Sequence, residues 1–191
     1  MAPWLLGLAG AALLAFAWWG LQRDAAPPPP PTAPLWGDAA LSLGPVEAYA
    51  RGVALVDSGR SRASLPYLHH AVAAPGAPWQ AWRIYASALH NAAMAGVTDP
   101  LVATDLAPRS SFERVALMRE AFPRIDRAIA LAGNPPERAI AQNTRGQFLR
   151  TWGFQWDAMQ DFHMAGELDP SWHDQALFFA RLMRDPRTTL E

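Results

Sequence analysis

The sequence predicts an all-α protein made of an N-terminal transmembrane helix, a proline-rich linker and one helical domain. Residues 4–21 contain no charged side chain, and residues 25–34 hold six of the 18 prolines. Beyond residue 35, apolar residues recur at three- and four-residue spacing without sustained alternation, which is the periodicity of amphipathic helices. The 191 residues leave room for one modest domain beside the anchor and the linker.

The first predicted element is the transmembrane helix at residues 4–21 (WLLGLAGAALLAFAWWGL). A helix of this length rises about 27 Å, close to the ~30 Å of a bilayer's hydrocarbon core. Trp4 at one end and Trp18 and Trp19 at the other are placed for the two membrane interfaces. A signal peptide cleaved near residues 15–17 is the alternative, but no basic residue precedes the apolar run, which favours an uncleaved anchor.

The orientation of the anchor has two interpretations. Arg23 follows the apolar run, and the positive-inside rule then favours a cytoplasmic domain. A domain carried on a stiff stalk after an N-terminal anchor instead resembles many bacterial periplasmic proteins. We expect a single-pass protein of the bacterial inner membrane with its domain in the periplasm, and we keep the cytoplasmic orientation as the alternative.

Residues 25–44 form the predicted linker. Five consecutive prolines at residues 27–31 enforce an extended polyproline II helix of about 3.1 Å per residue. The linker therefore acts as a spacer between the anchor (residues 1–24) and the helical domain (residues 45–184). A tail at residues 185–191 follows the domain.

Capping and turn signals divide the helical domain into seven predicted helices. Gly44-Pro45 starts the first helix and Ser58-Gly59 ends it. Ser61 or Ser64 caps the second helix, which tolerates Pro66 only in its first turn. Pro123 is expected to kink or restart the fourth helix, and residues 96–110 are expected to be an inserted loop. The third to seventh predicted helices span about residues 79–95, 110–132, 137–152, 155–168 and 171–184.

The composition excludes several classes of protein. Sixteen basic and 17 acidic residues give a net charge of −1, so no field for binding nucleic acid is present. Every basic residue is an arginine, which is typical of a GC-rich genome and points to a bacterial source. The absence of cysteine excludes disulfides, thiolate zinc sites, iron–sulfur clusters and attached c-type haem.

An internal repeat is the strongest pattern in the domain. Its clearest copy, at residues 144–170, places small residues, large residues and a turn glycine along two successive helices. The positions are Gly146, Leu149, Gly153, Ala158, Phe162, Ala165, Leu168 and Pro170. This pattern resembles the tetratricopeptide repeat. Two units at residues 45–75 and 79–131 match it less closely, and the insertion at residues 96–110 departs from it.

The resemblance implies about three stacked helical hairpins, closed by a capping helix at residues 171–184. In this family the first helix of each hairpin lines a concave groove for a peptide or a partner helix. Arginine forks bind carboxylates in bidentate fashion, so a groove with two arginines suits an acidic segment. The inward positions carried over from the family are Tyr49, Val53, Val56, Arg83, Ser87, His90, Asn91, Asn143, Gln147 and Arg150.

Large aromatic residues are expected to fill the core of the stacked hairpins. The aromatic residues assigned to the core are Trp82, Phe148, Trp152, Trp156, Phe162, Phe178 and Phe179.

Asp157 and Asp161 share a helix face and are expected to form a solvated stripe beside Arg150 or Arg127.

Chemistry-bearing residues do not form a recognisable site. The adjacent His69 and His70 diverge by about 100° on a helix and cannot chelate one ion. His163 and His173 lie on separate helices, where surface or capping roles are favoured over a metal site. With neither a phosphate-binding glycine loop nor a nucleophile motif, we expect no enzyme activity, cofactor or metal.

Two classes of function remain. The first is an accessory subunit that stabilises a multi-subunit membrane complex, such as a respiratory or photosynthetic assembly, with other subunits and the bilayer as partners. The second is a transient assembly, secretion or chaperone-like factor that recruits clients through its groove.

Overall fold

The computed structural model describes residues 42–95 and 111–184, and within these ranges the chain is all-helical, with no strand. The predicted anchor, the insertion at residues 96–110, the tail and most of the linker lie outside the described residues. A 3-10 turn, Pro170–Trp172, precedes the last α-helix. The α-helices are α1 Pro45–Asp57, α2 Ser61–Ala73, α3 Trp79–Met94, α4 Ser111–Leu131, α5 Pro135–Thr151, α6 Gln155–Leu168 and α7 His173–Arg184.

No helix in the described ranges combines the length and the apolar character that a membrane crossing needs. The predicted span at residues 4–21 lies outside those ranges, so it stays a prediction.

Two glycine turns join successive helices in the same way. After α1, Gly59 adopts a φ of 74°, and the backbone N–H of Arg60 donates to Leu55 O at 2.8 Å. After α5, Gly153 adopts a φ of 85°, and the N–H of Phe154 donates to Leu149 O at 2.9 Å. Both are Schellman caps, which need a residue without Cβ at the left-handed position.

The start of α2 differs from the prediction. Its N-cap is Arg60, so neither Ser61 nor Ser64 caps the helix, and Pro66 lies in the second turn rather than the first. The reason is the preceding turn: its cap already places Arg60 at the helix entrance, and the N–H of Ser64 donates to Arg60 O at 3.2 Å. The fourth helix continues through Pro123 as one element, so it does not restart there.

Helices pack most extensively in the pairs α1–α2, α3–α4 and α5–α6, and less extensively between one pair and the next. Glycines allow the closest approach inside two of these pairs. A Cβ on Gly52 of α1 would lie 2.6 Å from the side chain of Leu68. A Cβ on Gly146 of α5 would lie 2.8 Å from the ring of Phe162. In α1–α2 and in α5–α6, the two helices therefore come close together because glycine has no side chain at the contact.

The core runs through α2, α3, α4 and α5, and a smaller cluster joins α6 to α7. Two predicted core aromatics are not in it: Trp156 is 69% exposed and Phe178 is 56% exposed. On α6 the buried positions include Ala158, Phe162 and Ala165, which puts Trp156 on the opposite face of the helix.

Asp161 is the other residue whose environment differs from the prediction. It is 4% exposed and accepts hydrogen bonds from Gln142 and, at 2.7 and 2.8 Å, from two nitrogens of Arg145. Arg145 also donates to Asp126 on α4 at 2.9 Å. These carboxylates raise the pKa of Arg145, first of all through the hydrogen bonds that Arg145 donates to Asp161. A polar network, rather than a solvated stripe, therefore ties α4, α5 and α6 together.

Candidate functional site

A cavity of about 370 Å³ lies between α3 and α5, with the 3-10 turn at one side. Most of its wall is polar, and none of the residues that line it is acidic. We call this cavity the groove. Its lining residues are Arg83, Ser87, His90, Asn91, Ile140, Asn143, Thr144, Gln147, Phe148, Arg150, Thr151 and Trp172.

Helical spacing explains why these side chains meet. Arg83, Ser87 and His90 follow each other at four and three residues along α3, which places them on one face. Asn143, Gln147 and Arg150 repeat the same spacing on α5. Buried alanines of α3, such as Ala88 and Ala92, occupy the opposite side, so the polar face is left free of the core.

Seven of the ten inward positions carried over from the family therefore border one cavity, and the other three, Tyr49, Val53 and Val56, all lie on α1. Tyr49 of α1 is half-buried and packs against the main core. The aromatic Trp172 was not nominated, because its sequence position reads as part of a cap and carries no repeat signal.

Arg83 is a half-buried cation at the wall of the groove. Its guanidinium carbon lies 5.9 Å from the centre of the Trp79 ring. It forms no salt bridge with the described residues, and its Nε is buried without a hydrogen-bond partner among them. Burial lowers the pKa of Arg83, with a smaller opposing effect of Tyr49. The guanidinium remains charged at neutral pH.

Arg150 approaches the groove from α5. Its guanidinium carbon lies 4.7 Å from the centre of the Phe179 ring of α7. Phe179 in turn stacks on Phe162, with ring centres 4.3 Å apart. Arg150 is exposed, and within the described ranges no carboxylate pairs with it, so the ring contact positions a cation that no acidic side chain neutralises.

Asn143 is the most enclosed polar side chain of the groove. It is 4% exposed, and its carboxamide makes no hydrogen bond to any described residue. Buried polar groups are nearly always paired. Asn143 and the two arginines border the same cavity.

His90 forms part of the floor of the groove. Its ring stacks on Phe148, with centres 4.4 Å apart and planes 8° from parallel. Its Nδ1 lies 3.4 Å from Oδ1 of Asn91, while its Nε2 is buried without a partner in the described chain. Burial lowers the pKa of His90, and the Asn91 contact opposes this effect.

This depressed pKa predicts a loss of stability in mild acid. As the pH falls through 6.5, the ordinary pKa of histidine, His90 binds a proton more readily in the unfolded chain than in the folded one. The free energy of unfolding therefore decreases between pH 7 and pH 5. Burial lowers the pKa of His69 as well, so His90→Gln should remove only part of this loss. Denaturant unfolding across that pH range measures it. His163→Gln, at an exposed position, should keep the wild-type dependence, and an equal effect of both variants would contradict the prediction.

The prediction that there is no metal site rests on where the histidines lie. In the described ranges, no three His, Asp or Glu side chains come close enough to share a metal ion. His70 contacts the backbone oxygen of Leu43 at 2.9 Å, and His163 pairs with Glu167 at 3.3 Å.

Comparison with known proteins identifies no relative: no family model, no curated protein and no solved structure matches this chain.

Proposed function

We propose that this chain is a non-catalytic scaffold of the tetratricopeptide repeat type, held in a bacterial inner membrane by residues 4–21. Its helical domain lies in the periplasm on a proline-rich spacer and binds other proteins through the groove. In this proposal the chain is an accessory subunit that stabilises a multi-subunit membrane complex.

Three positions support the repeat assignment. Gly52 packs against Leu68, and Gly146 packs against Phe162, with the same 16-residue separation in both pairs. Ala86, which is fully buried, follows Gly52 by 34 residues. A tetratricopeptide repeat is 34 residues long, with small residues where its two helices cross.

The convergence of seven nominated side chains on one cavity carries the proposal. They come from α3 and α5, which are the first helices of the second and third hairpins. An apolar core already forms behind them, so their polar groups serve no packing purpose. Polar groups that border a cavity on a rigid support are the usual elements of a recognition surface.

A transient assembly or secretion factor is the second candidate. The same groove would then release its client, and the two candidates differ in stoichiometry. A permanent subunit is found in a fixed ratio to its neighbours, whereas an assembly factor is found at low and variable ratios.

Co-purification with the full-length chain tests both. We expect gentle detergent extraction to recover a fixed-ratio set of membrane proteins. The double variant Arg83→Ala/Arg150→Ala should weaken that association by about 1–3 kcal/mol, because each guanidinium is placed for a carboxylate. Its melting temperature should change little, because neither arginine forms a salt bridge in the described part of the chain.

The exposed Arg138, at the other end of α5, provides the control. Arg138→Ala should keep the wild-type partners. If the double variant also keeps them, the groove is not the recognition surface; if the wild type has no fixed-ratio partner, the chain is not a permanent subunit.

A further inference from the structure

We propose that the groove holds an acidic side chain of a bound polypeptide between Arg83 and Arg150, with Asn143 as a third, uncharged ligand. Phe179 of α7 is the residue that positions Arg150 for this contact. The inference rests on the proposed function, because it names the chemistry by which the groove recognises its partner.

The charge distribution is the first argument. Four arginines elsewhere in the described domain are half-buried, and three of them meet carboxylates: Arg62 pairs with Glu113, Arg124 with Glu120 and Arg145 with Asp161. The fourth, Arg114, donates to the backbone oxygen of Ala93.

Arg83, which is half-buried, and Arg150, which is exposed, differ from these four. Both border the groove, neither has an acidic partner within the described ranges, and the wall of the groove contains no carboxylate. The compensating negative charge is therefore expected from a ligand.

An aromatic ring positions each of the two arginines for that ligand. Trp79 lies below the guanidinium of Arg83, and Phe179 lies below that of Arg150. A ring fixes the plane of a guanidinium but consumes few of its N–H groups, whereas a salt bridge would consume them. Because Phe179 is itself stacked on the buried Phe162, its position is determined by the core.

Asn143 adds a neutral donor. Its carboxamide is nearly enclosed, has no partner among the described residues and borders the same cavity. A carboxylate oxygen can accept from its Nδ2 while the arginines neutralise the charge.

The rest of the wall favours a polypeptide over an isolated anion. Asn91 and Gln147 present carboxamides on the two sides of the groove, α3 and α5. Each carboxamide has both a donor and an acceptor, which are the two groups that a peptide backbone presents. Inorganic phosphate offers few O–H donors for these acceptor oxygens, whereas a polypeptide backbone offers an N–H at almost every residue.

Binding of a labelled hexaglutamate peptide to the full-length chain in detergent tests the inference. Fluorescence anisotropy at physiological salt should detect hexaglutamate and not hexaglutamine. Arg83→Gln, Arg150→Gln and Asn143→Asp should each raise the Kd by about tenfold or more, because they remove a positive charge or add a negative one. Arg138→Gln, on the same helix as Arg150, should leave the Kd unchanged.

Phe179→Leu separates positioning from mere stability. In the wild-type background it should raise the Kd by about threefold, because a leucine fills space but cannot stack on a cation. In the Arg150→Gln background it should have no effect on the Kd. A structural role alone would weaken binding in both backgrounds and would overturn the positioning claim.

Other outcomes overturn the ligand. If hexaglutamine binds as well as hexaglutamate, or if Arg138→Gln weakens binding as much as Arg150→Gln, the site is not selective for an acidic side chain. If inorganic phosphate binds with dependence on both arginines while hexaglutamate does not, the groove takes a free anion. In either case fixed-ratio partners lost with the arginine double variant would leave the proposed function standing.

Discussion

Gly146→Leu is expected to lower the free energy of unfolding of the helical domain by about 3 kcal/mol. Even a Cβ at this position would lie 2.8 Å from Phe162 Cε1 and 3.2 Å from Asp161 Cβ. Neither neighbour can retreat, since Phe162 is stacked on Phe179 and Asp161 is bound by Arg145. The gain in helix propensity on replacing glycine, about 1 kcal/mol at most, is too small to compensate.

Chemical denaturation followed by circular dichroism at 222 nm measures this effect. Gln147→Leu is the matched control, because it places the same side chain at the next, exposed position of α5. The control should unfold close to the wild type. A Gly146→Leu variant that unfolds with it would mean that α5 and α6 do not cross at this glycine.

Asp161→Ala should be comparably damaging, at about 2–4 kcal/mol. The substitution removes the acceptor of Gln142, which is buried, and of two nitrogens of Arg145. Most of the loss in stability comes from leaving the charge of Arg145 partly buried without its partner, rather than from the loss of the attraction itself. Part of the penalty is relieved by water, since the Arg145 side chain keeps 32% of its exposure.

Asp126→Ala provides the comparison on the same arginine. Asp126 is 54% exposed and accepts one hydrogen bond from Arg145, so its removal should cost under about 1 kcal/mol. The pair Arg145→Met/Asp161→Leu should recover part of the stability lost in Asp161→Ala, because it removes both charges together. Equal unfolding midpoints for Asp161→Ala and Asp126→Ala would contradict a buried role for Asp161.

The helix boundaries could be predicted because their causes are local. Pro45 at a first helical position and the glycines Gly59 and Gly153 at turns act over four residues or fewer. The fifth helix begins at Pro135, earlier than the predicted residue 137, because Asn134 caps it and accepts from the N–H of Glu137 at 3.0 Å. Ser61 failed as a cap because the preceding turn, and not its own hydroxyl, determines where α2 begins.

Burial on α6 could not be predicted in the same way. Asp161 is charged and was expected at the surface, and Trp156 is apolar and was expected in the core. In the structure Asp161 is buried and Trp156 is exposed. Asp161 is buried because Arg145, 16 residues earlier, reaches it across the α5–α6 contact. Such a pairing depends on the packing of two helices, which hydrophobic periodicity alone does not specify.

The groove was predictable as far as the repeat spacing extends. Arg83, Asn143 and Arg150 were found because periodic positions on two helices face one another. Trp172 and Phe179 were not predicted as residues of the groove, because they belong to the turn and helix after the last hairpin. Their part in the site follows from their contacts and not from any repeat position.

The stacking of Arg150 on Phe179 connects the groove to the least supported helix of the domain. In the described structure α7 packs chiefly on α6 and the 3-10 turn, and its second side has no neighbouring hairpin. Local opening of this helix would withdraw Phe179 without unfolding the remaining helices. If the groove binds its partner as proposed, its affinity and the folding equilibrium of α7 are thermodynamically linked. A bound partner would stabilise the end of the helical array, and a loosened end would release the partner.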